Sequence, residues 1–360
     1  MQEFQINKQN LGQNRIVAVA PSAINNGEVL VKIDRFAFTA NNITYAVMGE
    51  QLRYWQFFVA NDNTEQHWGI IPVWGFADVV ESNSDDLNVG ERLFGYFPPA
   101  NELVMTPAKA TATSFMEASA HRADLPPGYN MYRRVSNEPG YDRANDNERM
   151  LLYVLHLTSF CLYDLLQSNN WYGAEQVVII SASSKTSTGL AYGLAADDNA
   201  PSIIGLTSSK NISMVESTNT YDSVFSYDNI EQIDASKATV IVDMSANSEV
   251  LSRCHKHLGD NMRFTSNVGL THWEAPRQHS DIISERSELF FAPNHIQQRM
   301  QDWGADTFNQ RSIAYIANSV AKSRAWLKIK EIDGIEGLAD VYGDVCDGNI
   351  AADEALVVVM

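Results

Sequence analysis

The stretch spanning residues 173–211 constrains the fold of this chain more than any other. Residues 177–180 form an unbroken β-branched run, which is typical of a strand buried on both faces in a parallel sheet. Small and hydroxyl-bearing residues follow at 181–189, then an apolar segment with helical character at 190–196 and a second strand at 202–207. Strand, turn, helix and strand in this order predict a βαβ unit, which needs roughly 30 residues or more.

The turn of this unit is the predicted ligand-binding point. Backbone N–H groups and a helix N-terminus at such a turn favour a bound phosphate. The chain carries 26 basic and 44 acidic residues, a net charge of −18, which argues against nucleic acid and anionic membranes as partners. An anionic ligand therefore needs locally placed cations, and Lys185 and Lys210 are the candidates.

Cysteine use and the apolar runs predict the compartment. Cys161, Cys254 and Cys346 are far apart and odd in number, which indicates a reducing cytoplasm rather than a disulfide framework or a zinc finger. The first residues lack the organisation of a signal peptide, and no run reaches the roughly 18 apolar residues of a membrane span. We therefore expect a cytoplasmic protein without a membrane span.

The order of elements predicts two domains, as expected for 360 residues. Up to about residue 145 the pattern is mostly β, with strands at 15–20 and 29–38 and a strand pair within 70–81. From the helical pattern at 150–167 onward, strands alternate with helices, which predicts an α/β fold with a doubly wound parallel sheet. The run at 355–359 predicts a last strand.

Several phrases resemble the medium-chain dehydrogenase/reductase superfamily. Residues 88–95 (NVGERLFG) are similar to its GDRVFG phrase, 157–160 (LTSF) to its LTAY phrase, and 177–190 to its VLVxGASGGVG turn. More narrowly, residues 267–274 and 290–293 resemble a bacterial branch, the DUF2855 group.

The resemblance implies a GroES-like β-rich domain at 1–147, completed by 308–360, and a Rossmann-like dinucleotide-binding domain at 148–307. It also implies that the cofactor lies in the crevice between them, and that the protein forms a homodimer.

The resemblance points to the zinc-free members of the superfamily. Zinc-dependent members carry a catalytic Cys, a Gly-His-Glu phrase and a four-cysteine lobe, whereas residues 40–44 and 74–77 stand at the first two places here. A catalytic zinc needs three protein ligands, so we expect no metal. The implied chemistry is zinc-independent hydride transfer from a nicotinamide to a quinone or an α,β-unsaturated carbonyl small molecule.

The predicted phosphate turn departs from the family. The family's glycines fall on Ser184, Lys185 and Ser187, so close backbone approach to a pyrophosphate and positive φ are lost. Lys185 offers a charge instead, and hydroxyl donors are offered by Ser183, Ser184, Thr186 and Ser187. The alternative is that the turn closes and binds nothing.

The end of the second strand indicates NADPH rather than NADH. An NAD site places Asp or Glu there for the ribose diol. Here hydroxyls and a cation suit a 2′-phosphate, and they are carried by Thr207, Ser208, Ser209 and Lys210. Tyr227 resembles a tyrosine that lies nearby in NADP-using relatives. The alternative is a hydroxyl turn that caps the next helix, with Lys210 solvated.

The resemblance also implies the reacting site. Tyr45 falls where zinc-free quinone reductases place an active-site tyrosine, which would donate a hydrogen bond to the carbonyl oxygen; a packing role is the alternative. The residues implied beside the nicotinamide are Thr158, Ser245, Val268, Gly269 and Leu270. Phe290 and Phe291 are candidate walls of the substrate pocket, or core aromatics.

Three functions remain open. The first is an NADPH-dependent reductase of a quinone or enone. The second is a non-catalytic, dimeric binding or regulatory protein that kept the fold and lost the glycine turn. The third, an enoyl-thioester reductase, needs a basic patch that the acidic composition argues against. No G-x-S-x-G elbow indicates a hydrolase, and the P-loop and EF-hand patterns are incomplete.

Overall fold

The structure is a computed structural model that describes residues 1–20, 23–268 and 281–360. Its contacts divide the chain into two compact units. The first unit comprises Met1–Leu151 and Leu327–Met360, and the second comprises Leu152–Trp326.

The first unit is mostly β. Its helix α1 is Ala40–Val47, which Thr39 and Asn42 cap reciprocally. Its strands up to the chain's midpoint are β1 (Gln2–Asn7), β2 (Asn14–Ala18), β3 (Val29–Phe38), β4 (Trp68–Gly69), β5 (Val73–Ser82), β6 (Arg92–Phe97), β7 (Glu102–Met105), β8 (Pro107–Ala108), β9 (Ser114–Glu117) and β10 (Met131–Arg134). The strand pair expected within 70–81 is wrong, since one continuous strand, β5, covers most of that range.

The second unit alternates strands and helices. Its elements are α2 (Asp146–Ser168, which begins in the first unit), β11 (Gln176–Ile180), α3 (Lys185–Leu194), β12 (Ser202–Thr207), α4 (Ile212–Ser217), β13 (Ser223–Ser226), β14 (Thr239–Asp243), α5 (Ser248–Leu258), β15 (Met262–Asn267), β16 (Ser287–Leu289), α6 (Ala292–Trp303) and α7 (Ala305–Ser323). The chain then returns to the first unit with β17 (Lys328–Asp333), α8 (Gly334–Cys346) and β18 (Glu354–Val359).

Two sheets build the first unit. A three-stranded sheet has the order β2-β1-β4, and a nine-stranded sheet has the order β17-β18-β3-β5-β6-β10-β9-β8, with β7 also pairing with β3. The predicted last strand, β18, pairs antiparallel with β3 and parallel with β17. The C-terminal return of the chain is therefore a central part of this sheet.

A buried arginine fixes the start of α2 within the first unit. The Arg92 guanidinium donates to Asp34 at 2.6 Å, to Asp146 at 2.8 Å and to both carboxylate oxygens of Asp78 at 3.0 Å. A buried guanidinium needs such carboxylate partners because its desolvation is costly. Since Asp146 is the first residue of α2, the network ties this helix to β3, β5 and β6.

The second unit is a six-stranded parallel sheet with the order β13-β12-β11-β14-β15-β16. Alternate residues of the β11 run face opposite sides, so Val177 and Ile179 join one core cluster while Val178 and Ile180 join the other. Both faces are therefore covered, as the unalternated apolar run predicts. The strand order reverses between β11 and β14, which is where ligands bind in open sheets of this kind.

Helix α2 has the length and apolar composition of a membrane span over Arg143–Ser168, with a mean hydropathy of 1.3 in its most apolar window. Of that window 56% is buried inside the fold. Leu162 and Leu166, for example, pack into the core beside β11. A core helix of a globular protein passes the same test of length and composition.

Candidate functional site

The candidate cofactor site lies at the carboxyl end of β11, where Ser181 begins the turn into α3. Ser181 has a φ of 63°, the left-handed conformation that glycine favours. Helix α3 begins at Lys185, earlier than the apolar pattern predicted, because Ser184 caps it. The Ser184 hydroxyl accepts from the Ser187 N–H at 3.1 Å and donates to the Ser187 hydroxyl at 2.7 Å.

Ser183 ties the ends of two neighbouring strands together. Its hydroxyl accepts hydrogen bonds from the Thr207 hydroxyl at 3.1 Å and from the Asn211 amide at 3.0 Å. Both Ser183 and Thr207 are buried. The structure thus brings together two of the predicted cofactor-binding residues, and their side chains are bonded to protein groups.

Tyr227 lies over the start of the same turn. Burial raises the pKa of Tyr227, and hydrogen bonds from the Ser181 side chain and backbone partly offset that increase. The tyrosine predicted beside the cofactor therefore contacts the turn that follows β11.

Other donors of the predicted set face solvent. Thr186, the second residue of α3, is partly exposed. Lys185 is partly exposed, Ser208 is partly exposed and Lys210 is exposed. Ser209, also exposed, donates to the Asp228 carboxylate at 3.4 Å, an acidic neighbour that the sequence analysis did not anticipate.

Helix α2 packs against the first turn of α3 and is hydrogen-bonded to it. The Ser159 hydroxyl donates to the Thr186 carbonyl at 2.7 Å. His156 is fully buried beside it; its Nδ1 lies 2.7 Å from the Ser319 hydroxyl. A Cβ built on Gly189 would lie only 2.5 Å from the Ser159 Oγ and 2.7 Å from the His156 Cδ2, so glycine permits this close approach.

The carboxyl ends of β14 and β15 carry further predicted residues. The Ser245 N–H and hydroxyl both donate to the Asp243 carboxylate, at 2.8 and 2.7 Å. The Val268 N–H donates to the Asp243 carbonyl at 2.8 Å. Burial raises the pKa of Asp243 in spite of the Ser245 bonds. Ser245 and Val268 are therefore close together, while the predicted Gly269 and Leu270 lie outside the described residues.

Three remaining predicted residues bond or pack within the second unit. The Thr158 hydroxyl donates to the Val154 carbonyl in its own helix at 3.1 Å. Phe290 packs against both the β11 core and a cluster around Phe160. Phe291 is the N-cap residue of α6 and is partly buried.

Tyr45, the predicted catalytic residue, lies in an aromatic cluster of the first unit. Its hydroxyl accepts a hydrogen bond from the Trp74 Nε1–H at 3.2 Å, and Asn41 supplies a second hydrogen bond. Burial raises the pKa of Tyr45 well above its usual range. We use "the aromatic cluster" for Tyr45, Tyr54, Phe57, Trp74, Tyr96 and Tyr129, whose rings lie 4.6–6.4 Å from their neighbours.

Several residues at these sites were missed by the sequence analysis. Ser181 adopts a glycine-like conformation without a glycine to signal it, and Asn211 follows the predicted hydroxyl segment by a single position. Tyr96 and Tyr129 come from separate segments, so no local pattern could have joined them to Tyr45. No group of three or more His, Cys, Asp or Glu side chains with metal-site geometry occurs among the described residues.

Comparison with solved structures reveals the fold. CurA from Vibrio vulnificus, in complex with NADPH, is 12% identical with a TM-score of 0.67, over 100% of this chain and 99% of that chain. Mycobacterial Rv1454c complexed with NADPH is 12% identical with a TM-score of 0.60, over 100% of both chains. Galactitol-1-phosphate dehydrogenase from Escherichia coli is 12% identical with a TM-score of 0.54, again over 100% of both.

Sequence comparison reveals the family. A search of curated proteins gives no significant match. The family profile described as "Protein of unknown function (DUF2855)" matches residues 36–351, most of the chain. This match and the solved structures confirm the predicted resemblance and the predicted fold class. The chain belongs to the DUF2855 family and has the fold of the medium-chain dehydrogenase/reductase superfamily, a GroES-like β-rich part with a Rossmann-like parallel sheet.

Proposed function

We propose that this protein is an NADPH-dependent, zinc-independent oxidoreductase that reduces a quinone or an α,β-unsaturated carbonyl compound by hydride transfer. The observation that carries the proposal is the turn from Ser181 to the N-terminus of α3, at the point where the strand order of a parallel sheet reverses. The NADPH complexes of CurA and Rv1454c, which share the fold, support the choice of cofactor.

The residues at this turn fit a dinucleotide. Thr186 offers a partly exposed hydroxyl at a helix N-terminus, and Lys185 adds a positive charge beside it. Ser208 and the exposed Lys210 follow β12 and suit the 2′-phosphate that distinguishes NADPH from NADH. Asp228 near Ser209 opposes that phosphate, so Lys210 has to supply the compensating charge. When bound, the cofactor supplies the hydride.

Tyr45 has the geometry of a hydrogen-bond donor to a carbonyl oxygen. Because its oxygen already accepts from Trp74 and Asn41, the role left to the hydroxyl is donation. Its raised pKa keeps the proton in place at neutral pH. A donor held in this way stabilises the negative charge that develops on a substrate oxygen as hydride arrives. The role of Tyr45 in the proposal is therefore polarisation of the substrate carbonyl.

The direct test is titration of the protein with NADPH and NADH, followed by nicotinamide fluorescence. We expect NADPH to bind more tightly, and Lys210→Ala to weaken NADPH binding about tenfold while leaving NADH binding unchanged, because the substitution removes one charged contact. The matched control is Lys237→Ala, since Lys237 lies two residues before β14, at the amino ends of the parallel strands and away from their carboxyl ends. Absence of NADPH binding at millimolar concentration contradicts the proposal, as does an equal effect of both variants.

One observation favours the second candidate, a non-catalytic binding protein with the same fold. The hydroxyls of Ser183, Ser184 and Ser187 are bonded to protein groups, and Tyr227 contacts Ser181, so much of the turn is satisfied internally. This candidate predicts no cofactor affinity and no effect of Lys185→Ala on any property. The first proposal predicts that the same substitution weakens NADPH binding.

A cytoplasmic homodimer completes the proposal. It follows from the family resemblance and from the reduced state expected of three scattered cysteines. Size-exclusion chromatography with light scattering measures the mass directly. A monomer at micromolar concentration contradicts the dimer and leaves the proposed reaction unaffected.

A further inference from the structure

The hydroxyl of Tyr96 is buried in the aromatic cluster and has no hydrogen-bond partner among the described residues. Tyr96 lies on β6 and has 0% of its surface exposed. A buried polar atom without a partner costs about 1–3 kcal/mol relative to a paired one. Since such atoms are rare in folded proteins, an unpaired hydroxyl calls for an explanation such as a ligand or an ordered water.

The other polar groups of the cluster are already engaged. The Tyr54 and Tyr129 hydroxyls are 3.0 Å apart and bond to each other. The Tyr45 oxygen accepts from Trp74. Tyr96 is therefore the member of the cluster whose hydroxyl lacks a hydrogen-bond partner in residues 1–20, 23–268 and 281–360.

Flat aromatic surfaces surround the Tyr96 ring. The Trp74 ring centroid lies 5.2 Å away, the Tyr129 centroid 4.8 Å away and the Tyr45 centroid 5.6 Å away. Trp74 and Tyr129 are partly exposed, whereas Tyr45 and Tyr96 are buried beneath them. Aromatic faces of this kind favour stacking with a planar ligand over binding of a flexible aliphatic chain.

Burial keeps the Tyr96 hydroxyl protonated. Burial and the neighbouring tyrosines raise the pKa of Tyr96 well above its usual range, and the charge of the buried Arg122 offsets only part of that increase. Tyr96 therefore stays protonated at neutral pH. A protonated hydroxyl can donate a hydrogen bond to an acceptor oxygen.

We propose that the aromatic cluster is the binding site for a planar, conjugated, uncharged substrate, and that the Tyr96 hydroxyl donates a hydrogen bond to an oxygen of that substrate. The inference rests on the proposed function, because it assigns the reducible compound to the site of Tyr45. It narrows the substrate from carbonyl compounds in general to flat ring systems that carry an acceptor oxygen.

The test measures binding without cofactor, by equilibrium dialysis. The probes are duroquinone, a fully methylated quinone that cannot add thiols, and durene, a hydrocarbon with the same methylated ring and no oxygen. We expect the wild-type protein to bind duroquinone about tenfold more tightly than durene, the worth of one hydrogen bond. Tyr96→Phe should bring the two affinities to within about twofold.

Thermal unfolding of the same variants separates a binding role from a structural one. Tyr96→Phe should leave the Tm unchanged or raise it, because the hydroxyl has no protein partner to lose. The matched control is Tyr342→Phe, another buried tyrosine of the first unit, whose hydroxyl donates to the Leu11 carbonyl at 2.6 Å. This control should lower the Tm and leave the ratio of the two affinities unchanged.

Two results overturn the inference. One is equal binding of the probes by the wild-type protein, or no binding of either. The other is a Tyr96→Phe variant that keeps the wild-type ratio and loses stability as Tyr342→Phe does, which assigns the hydroxyl to a buried water. Because NADPH is absent from the assay, a failure here is distinct from a failure to bind the cofactor.

Discussion

In the turn after β11 the hydroxyls of Ser183 and Ser184 are bonded to protein groups, whereas in the aromatic cluster the hydroxyl of Tyr96 has no partner within the described part of the chain. The first region uses most of its polar atoms to hold its own shape. The second region is held together by contacts between aromatic rings, and these contacts do not use the Tyr96 hydroxyl. Polar groups left unsatisfied by the fold are the ones available to a ligand.

The contrast between the two regions corresponds to two kinds of ligand, a charged cofactor and an uncharged substrate. In the second unit the candidate cofactor groups are the partly exposed Thr186 and the exposed Lys210, and they suit the charged, hydrated phosphates of a cofactor. In the first unit the candidate group is the buried Tyr96 hydroxyl, which suits an uncharged substrate oxygen. Substitutions in the aromatic cluster should therefore change kcat and substrate affinity. Substitutions at the turn after β11 or behind it should change NADPH affinity and stability.

The largest effect is expected at the aromatic cluster, from Tyr45→Phe. Loss of a preorganised donor to a developing oxyanion costs about a hundredfold to a thousandfold in kcat. The measurement is kcat for duroquinone reduction at saturating NADPH, with NADPH affinity determined in parallel. We expect kcat to fall by that factor and the NADPH affinity to stay within about twofold, because the turn after β11 is untouched.

Tyr342→Phe serves as the control for that measurement, since it removes a hydroxyl from the same unit that lies outside the aromatic cluster. Its kcat should equal that of the wild type. If Tyr45→Phe retains the wild-type kcat, the aromatic residues are a packed core and the contrast between the two regions loses its functional meaning.

The sequence predicted the turn better than the cluster for a physical reason. The β11 run and the hydroxyl segment after it are contiguous, so period and composition give both the strand and the turn. The start of α3 was placed too late, because a serine that caps a helix and a serine in an open turn have the same composition. The cap is decided by one side-chain bond, from the Ser187 N–H to Ser184.

The cluster is assembled by the sheet of the first unit. Trp74 and Tyr96 are register partners on β5 and β6, and Tyr45 reaches them from α1. Strand register depends on long-range pairing, which one sequence does not specify locally. The sequence therefore gives Tyr45 through family resemblance alone, and the neighbours that set its hydrogen bonding appear only in the folded structure.

The polar groups around the turn after β11 are mostly bonded to protein groups, and His156 is an exception. The pH dependence of stability tests whether His156 is buried in its neutral form. Among the residues that the structure describes, its buried Nε2 has no hydrogen-bond partner of standard geometry, although the Lys185 backbone lies close. Burial lowers the pKa of His156 to about 4. Between that value and the unfolded pKa of about 6.5 the unfolded chain binds more protons, so stability falls as the pH is lowered. The loss approaches about 3 kcal/mol near pH 4.

The measurement is the free energy of unfolding by urea between pH 7 and pH 4.5, for the wild type and for His156→Gln. Glutamine retains a polar group for Ser319 but does not titrate. We expect the wild-type curve to be steeper over this range, whatever the stability of the variant at pH 7. Equal slopes mean that His156 is not neutral and buried, and that the polar atoms behind the turn are satisfied like those within it.

The smallest expected effect comes from Gly189→Ala, which adds a methyl group where α2 and α3 are in close contact. The added Cβ meets the Ser159 Oγ and the His156 ring, and the Ser159 hydroxyl is held by the Thr186 carbonyl. Overpacking of this kind costs about 2 kcal/mol, more than the gain in helix propensity returns. We expect a lower free energy of unfolding and, because Thr186 moves, weaker NADPH binding with unchanged duroquinone binding.

Gly343→Ala is the matched control, since Gly343 lies inside α8 with nothing within 4 Å of an added Cβ. Helix propensity alone acts there, so the free energy of unfolding should rise by about 0.5–1 kcal/mol. If Gly189→Ala also stabilises the protein and leaves NADPH binding intact, α3 can shift without disturbing the turn. The internal bonds of Ser183 and Ser184 would then suffice to hold the cofactor site, and α2 would contribute only to the core.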